Sequence, residues 1–224
     1  MATALQKQYE AGPLRDMTGP AIRPGGTLLT GRAVRFCCFS PGDEILDVGC
    51  GAGATVEYLR GRHRLNAVGV DPSRRLLEEA WARNLDLPLG LGRAEAVPAV
   101  DATKDGIVCE CVLSLLNDPA LALAEFRRVL RPGGRLILSD LYERTAAGDN
   151  RKYGLLSRTR LEELLFANGF TLQLWEDHSR LLRELAAGLL MSHGTLEGFW
   201  RCADNSGCRA GERPGYYLLV ARKD

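Results

Sequence analysis

A glycine-rich bend, Asp47-Val48-Gly49-Cys50-Gly51-Ala52-Gly53, joins a short apolar run, Glu44 to Val48, to a helix-forming run that starts at Ala54. Glycines at alternate positions let the chain turn tightly and bring its backbone against a ligand. The helix that follows opens with unpaired N–H groups, which such a ligand can use. The strand-then-helix unit recurs along the chain. Ala67 to Val70 predicts a second strand, and Ser73 is a suitable cap for a helix reaching about Arg83. Leu85 to Leu91 predicts a third strand, which Pro88 assigns to a sheet edge. Further strands are expected at Gly106 to Cys111, Arg135 to Ser139, Phe170 to Trp175 and Tyr216 to Ala221. Helices are expected from Thr27 to about Phe39, then at Ala54 to Arg60, Pro119 to Leu130, Thr159 to Asn168, Leu181 to Met191 and Leu196 to Cys202. Alternation of this kind builds βαβ units. The expected fold is α/β: a Rossmann-like, doubly wound, mostly parallel seven-stranded sheet with helices on both faces. Ligands of such sheets lie beyond the carboxyl ends of the strands. The loops after Val48, Val70, Cys111 and Ser139 are therefore where chemistry is sought.

Composition narrows the class. The 224 residues suit one domain with a sizeable core, and 46% hydrophobic with 25% charged residues is ordinary for a soluble globular chain. Residues 1–39 read as a leader or lid and residues 40–224 as the ligand-binding domain. A net charge of +1 argues against a nucleic-acid binder. No apolar run is long enough for a membrane span, and MATALQKQYEAGP lacks the apolar core of a signal peptide. The expected setting is the cytoplasm, with no membrane partner and a monomer or homodimer as the working form. The seven cysteines are then free thiols.

Spacing alone leaves the ligand open. Gly49, Gly51 and Ala54 satisfy the dinucleotide pattern, so an NAD-dependent oxidoreductase is one reading. Asp71 lies where an acid contacting a nucleoside ribose belongs in either case. A P-loop is excluded, because no Gly-Lys-Ser/Thr follows the bend.

ILDVGCGAGATVEYL followed by VGVDPS resembles motif I and its successor in class I S-adenosylmethionine-dependent methyltransferases. LAEFRRVLRPGGRLILSDLY resembles the post-sheet motif of their small-molecule branch, and RAEAVP stands where that branch has an acid before Ala-Glu. The match runs over about residues 40–142. It implies methyl transfer from S-adenosyl-L-methionine to a small-molecule acceptor by in-line displacement, leaving S-adenosyl-L-homocysteine. It also implies roles. Asp47 and the backbone at Gly49, Cys50 and Gly51 would hold the amino-acid end of the cofactor. Asp71 would take the ribose hydroxyls, Pro72 would pack on the adenine, Ala94 and Glu95 would flank its edge, and Cys109 would line the pocket. Arg93 departs from the pattern by replacing the acid. A carboxylate at Asp47 suits an ammonium group better than a pyrophosphate. Many members cover the cofactor with N-terminal helices, which makes Tyr9, Arg23 and Gly25-Gly26 lid candidates.

Catalytic candidates lie at strand ends. Glu110 is expected as a base, as a residue orienting the acceptor, or as a solvated acid; Asp140 meets the substrate or caps the following segment. Cys109 and Cys111 alternate on one strand and are expected to share a face. CECVLSLL with FRRVLRPGGRLILSDLY also resembles arsenite methyltransferases, which implies a thiolate site from Cys111 with Cys202 or Cys208. Plain buried cysteines are the alternative, so no metal is assigned. A non-catalytic cofactor-binding module is the remaining alternative.

Overall fold

The computed structural model describes residue 10 and residues 12–144, 155–194 and 214–224. The elements follow in chain order: α1 (Pro13–Thr18), α2 (Leu28–Cys37), β1 (Glu44–Val48), α3 (Ala54–His63), β2 (Asn66–Asp71), α4 (Arg74–Arg83), β3 (Leu89–Leu91) and β4 (Lys104–Glu110). A 3-10 turn (Leu113–Leu115) leads to α5 (Pro119–Val129), β5 (Leu130–Tyr142), α6 (Arg158–Ala167), β6 (Phe170–Asp177), α7 (Ser179–His193) and β7 (Gly215–Lys223). The helix expected at Leu196 to Cys202 lies outside the described residues.

The seven strands form one sheet in the order β3-β2-β1-β4-β5-β7-β6. The pairs β1–β2, β1–β4, β2–β3 and β4–β5 are parallel, and β7 runs antiparallel to both β5 and β6. The order reverses between β1 and β4, which opens a crevice at their carboxyl ends. Pro88 precedes a three-residue edge strand, as a residue without a backbone donor requires. β5 is longer than its apolar centre suggests. The Arg131-Pro132-Gly133-Gly134 stretch ends α5 and also starts the strand, and its pairing to β4 slips between Lys104 and Gly106.

Side chains alternate across the sheet and build two apolar layers. Leu46, Val48, Ile107, Cys109, Leu136 and Leu138 face α5 and α6. Ile45, Val108, Ile137 and Leu218 face α2, α3, α4 and α7. Phe126 of α5 is fully buried in the first layer. Its burial contributes about 1.5–3 kcal/mol, which is typical of a large core side chain. The second layer matters most for the site. Asp47, Glu110 and Ser139 belong to its side of the sheet by the same alternation, and each sits in the carboxyl-terminal half of its strand.

Local signals position α4. Ser73 Oγ accepts from the Leu76 N–H at 3.3 Å, the cap its sequence position predicts. Asp118 caps α5 by accepting from Ala120 and Leu121, with Pro119 at the first helical position. The N-terminal helices lean on the rest of the fold: Arg15 pairs with Glu79 of α4, and Ser192 of α7 donates to Met17 Sδ at 3.9 Å.

Candidate active site

A cavity of about 310 Å³ opens over the glycine bend. One wall is Val48 to Gly51, a second is Asp71 to Ser73 with Leu76, a third is Arg93 to Glu95. Glu110 to Val112 with Leu115 and Leu116 closes the inner side, and Glu10, Pro20, Ile22 and Arg23 cover it from the N-terminal segment.

The bend is held by its neighbour strand. The Gly49 and Cys50 N–H groups donate to the Val70 carbonyl at 2.8 and 3.1 Å. Gly49 has φ +78°, and a Cβ there would run into Val112, so glycine is required twice over. Gly51 is different: a Cβ would meet only Leu76 Cδ1, at 3.9 Å. Its missing side chain leaves room that belongs to the cavity.

Two buried acids frame the bend. Asp71 is 7% exposed. Its Oδ2 accepts from the Gly51 N–H at 2.8 Å and its Oδ1 from the Ser73 N–H at 2.7 Å. Burial raises its pKa from the usual carboxylate value, against the pull of these two N–H groups. Asp47 is 2% exposed, and its Oδ2 is buried without a hydrogen-bond partner among the described residues. Burial pushes its pKa well up; Glu110 adds to that, Arg23 opposes it, and Asp71 adds again. Asp47 does not itself line the cavity, although Val48, Gly49 and Glu110 around it do.

Glu110 is saturated. Arg23 Nη2 forms an ion pair with its Oε2 at 3.0 Å, and both side chains are nearly sealed from solvent. Thr30 Oγ1 lies 2.9 and 3.1 Å from its two oxygens, Thr55 Oγ1 at 3.3 Å and Ser139 Oγ at 3.4 Å. The Tyr216 hydroxyl extends the network, lying 3.3 Å from Ser139 Oγ and 3.4 Å from Cys111 Sγ. Burial alone would lower the Arg23 pKa, but Glu110, Tyr216 and Asp47 together raise it.

A model described as a methyltransferase domain matches residues 46–138. Over 204 residues the chain is 30% identical to an O-methyltransferase of Pyrenophora dematioidea, covering 82% of this chain and 76% of that protein. The chain belongs to the S-adenosylmethionine-dependent methyltransferases. It spans about half or less of the length of most other curated relatives it matches. The fold superposes with a TM-score of 0.79 on phosphoethanolamine N-methyltransferase 2 of Haemonchus contortus in complex with S-adenosyl-L-methionine, at 16% identity, covering 99% of this chain and 60% of that one. It also superposes with a TM-score of 0.75 on the cyclase SpnF, at 23% identity, covering 92% of this chain and 83% of that one. These likenesses show the shared fold, which by itself does not fix the chemistry. The dinucleotide, metalloid and non-catalytic readings find no support among the relatives.

The methyltransferase brings most of the expected site residues together. Gly49, Cys50, Gly51, Asp71, Pro72, Ala94, Glu95, Arg23, Glu110 and Cys111 all line the cavity. Cys109 does not: it is 1% exposed and packed in the α5/α6 layer. Nor does it share a face with Cys111, which packs in the opposite layer. β4 ends at Glu110, and Cys111 adopts φ +57°, so the alternation of the strand no longer governs it. Burial raises the Cys111 pKa, so the group is a neutral thiol and a poor thiolate ligand. Cys202, Cys208 and Tyr9 lie outside the described residues. Among the described residues no cluster of His, Cys, Asp and Glu could hold a metal ion, and no helix is long and apolar enough to cross a membrane.

Asp140 also stands off the cavity. It accepts from the Ser114 N–H at 2.8 Å, the Ser114 hydroxyl at 2.7 Å and the Leu141 N–H at 2.7 Å. It thus pins the 3-10 turn after β4, a segment that precedes it in the chain. Sequence reasoning missed Thr30, Thr55, Ser139 and Tyr216. Thr30 lies 80 residues from Glu110 along the chain, and no local pattern announces such a partner. Ser73 was legible only as a cap, yet its hydroxyl also donates to Glu10 at 2.6 Å and ties the N-terminal segment to the cavity rim.

Proposed function

We propose that this methyltransferase transfers a methyl group to an oxygen of a small organic acceptor. The observation that carries the reading is the pair of buried acids around the glycine bend. Asp71 is preorganised by two backbone donors, and Asp47 keeps an oxygen with no protein partner. A group with vicinal hydroxyls at one end and an ammonium at the other fits that pair, and the space left by Gly51 lies between them in sequence. Oxygen as the accepting atom is favoured by the relative from Pyrenophora dematioidea.

S-adenosylmethionine, when bound, supplies an electrophilic methyl group on a sulfonium. The chain's own work is placement. Asp71 would receive the ribose hydroxyls on the lone pairs its backbone donors leave free. Pro72, Leu76 and Ala94 would form the apolar seat of the base. Asp47 would accept from the ammonium group. Residues 12–37 would serve as the lid, since Pro20, Ile22 and Arg23 already cover the cavity. Holding reactants in line supplies much of the rate, up to ~7–11 kcal/mol in well-oriented systems. The free thiols Cys37 and Cys38 fit a cytoplasmic setting.

Glu110 does not fit a general base. An effective base keeps a free lone pair aimed at the acceptor's proton. Here a guanidinium and three hydroxyls occupy the carboxylate. The acceptor therefore arrives ionised or gives its proton to water. Glu110→Gln is expected to lower kcat/KM by a similar factor at every pH, leaving any acidic limb of the pH–rate profile in place. It also breaks a buried ion pair, which lowers stability by about 3–5 kcal/mol. Disappearance of the acidic limb would restore the base role.

The activity test uses methyl-labelled donor with panels of phenolic, carboxylic, amine and thiol acceptors. Label recovered in an ether or ester supports the reading. Label confined to amine or thiol products would replace oxygen as the acceptor atom.

A further inference from the structure

Building on the donor reading above, we infer that Arg23 is the receptor for the carboxylate at the amino-acid end of the methyl donor, and that Glu110 is the residue that positions it. Arg23 lies between α1 and α2 and its side chain is 9% exposed, yet it lines the cavity. One edge of the guanidinium is committed. Nε donates to the Gly26 carbonyl at 2.8 Å, Nη2 donates to Thr30 Oγ1 at 3.0 Å, and Nη2 also forms an ion pair with Glu110 Oε2 at 3.0 Å. These contacts engage Nε and Nη2. The two N–H groups of Nη1 take no protein partner among the described residues, and Nη1 is not among the sealed, unpartnered atoms. A simple latch would need only the committed edge. The uncommitted nitrogen belongs to a cavity-lining side chain whose other contacts hold it rigid, and a fixed guanidinium fork suits carboxylates.

The neighbouring charges point the same way. An α-amino acid carries its ammonium and carboxylate on one carbon, so their receptors must be neighbours. Asp47, with its unpartnered oxygen, is among the charges that face Arg23. The described cavity wall otherwise carries Glu10, Asp71, Glu95 and Glu110, which would repel a carboxylate. Arg93 is the second cation of that wall, but its side chain is 63% exposed and pairs with Glu95 at 3.7 Å, beside Ala94. That leaves Arg23. Glu110 and Thr30 fix its angle, which assigns the buried carboxylate a task other than proton transfer.

The test compares two ligands by calorimetry on the full chain. S-adenosylhomocysteine has the amino-acid end, and 5′-methylthioadenosine keeps the adenosine and thioether without it. Removing Arg23 alone strands a buried carboxylate and risks the fold, so the principal variant is Arg23→Leu with Glu110→Gln, which removes both charges together. The expected result is S-adenosylhomocysteine bound about ten- to a hundredfold more weakly and methylthioadenosine bound within about twofold of the wild type. Arg23→Lys, which keeps the charge but not the fork, is expected to fall between. Unchanged affinity for both ligands would overturn the inference and leave the donor site standing. Equal loss of both would also overturn it, because Arg23 would then act on the cavity as a whole. A wild-type chain that binds neither ligand would overturn the donor reading itself.

Discussion

Asp71→Ala is expected to weaken S-adenosylhomocysteine binding by about two orders of magnitude or more, the largest loss of any single change at the site. The carboxylate has two jobs that share four lone pairs. Its inner lone pairs accept from Gly51 and Ser73, which fixes the bend to the start of α4. Its remaining ones face a cavity that fits a nucleoside. Each hydrogen bond to a charged acceptor is worth ~1.5–3 kcal/mol, and two ribose hydroxyls lose theirs together. The shape-preserving change Asp71→Asn should do little better. An amide presents one donor face, and here it must confront either the Gly51 or the Ser73 N–H. Calorimetry with S-adenosylhomocysteine measures the loss, and circular dichroism checks that the sheet is intact. An Asn variant that binds within a few-fold of wild type would show that the ribose is held elsewhere.

Asp47→Asn is expected to move stability and binding in opposite directions. Asp47 is an acid of the same size at the end of the neighbouring strand, but its Oδ2 has no partner. Burial raises its folded pKa well above the carboxylate value, with Glu110 adding to the rise. The folded state therefore holds the proton more tightly than the unfolded chain. The stability this confers is complete below the unfolded value and is lost as pH rises through the folded one. The wild type gives it up progressively as pH rises, whereas the amide has nothing to ionise. The variant should melt higher than wild type at pH 7, with the gap closing toward pH 4. Donor affinity should fall by about tenfold or more at pH 7, because an ammonium loses a charged acceptor. In the wild type, donor binding should weaken on acidification as Asp47 takes up its proton. A variant that is less stable at pH 7, or that binds the donor as well as wild type, would place the ammonium elsewhere.

The contrast between these two acids shows what a sequence reveals and what it withholds. Both are read as candidate site residues from the sequence, because Asp47 opens the glycine-rich motif and Asp71 stands at the expected spacing beyond it. Their hydrogen bonds are not, since the partners are backbone groups set by how β1 and β2 align. Strand order at the Pro88 edge and the Ser73 cap followed from local chemistry that operates over a few residues. Glu110 was visible as a strand-end acid, but Arg23, Thr30 and Tyr216 reach it from distant stretches of chain. Cys111 was misjudged in the other direction. Strand periodicity was extended one residue past the strand's end, and a left-handed backbone turned the thiol to the opposite layer. The anchoring of Asp140 to Ser114 was not legible for a related reason, because it depends on the path of the 3-10 turn.

The placement of β7 bears on how the chain comes to be active. It is the latest of the seven strands along the sequence, yet it lies inside the sheet, between β5 and β6. Its reversed direction carries Tyr216 up to the hydroxyl cluster around Glu110. A nascent polypeptide emerging amino end first can build β1 to β4 and the glycine bend early, but the hydroxyl cluster around Glu110 waits for a segment translated about a hundred residues after Cys111. Competence to hold the methyl donor therefore waits until β7 has been made, and premature termination before Gly215 leaves a gap inside the sheet rather than a trimmed edge.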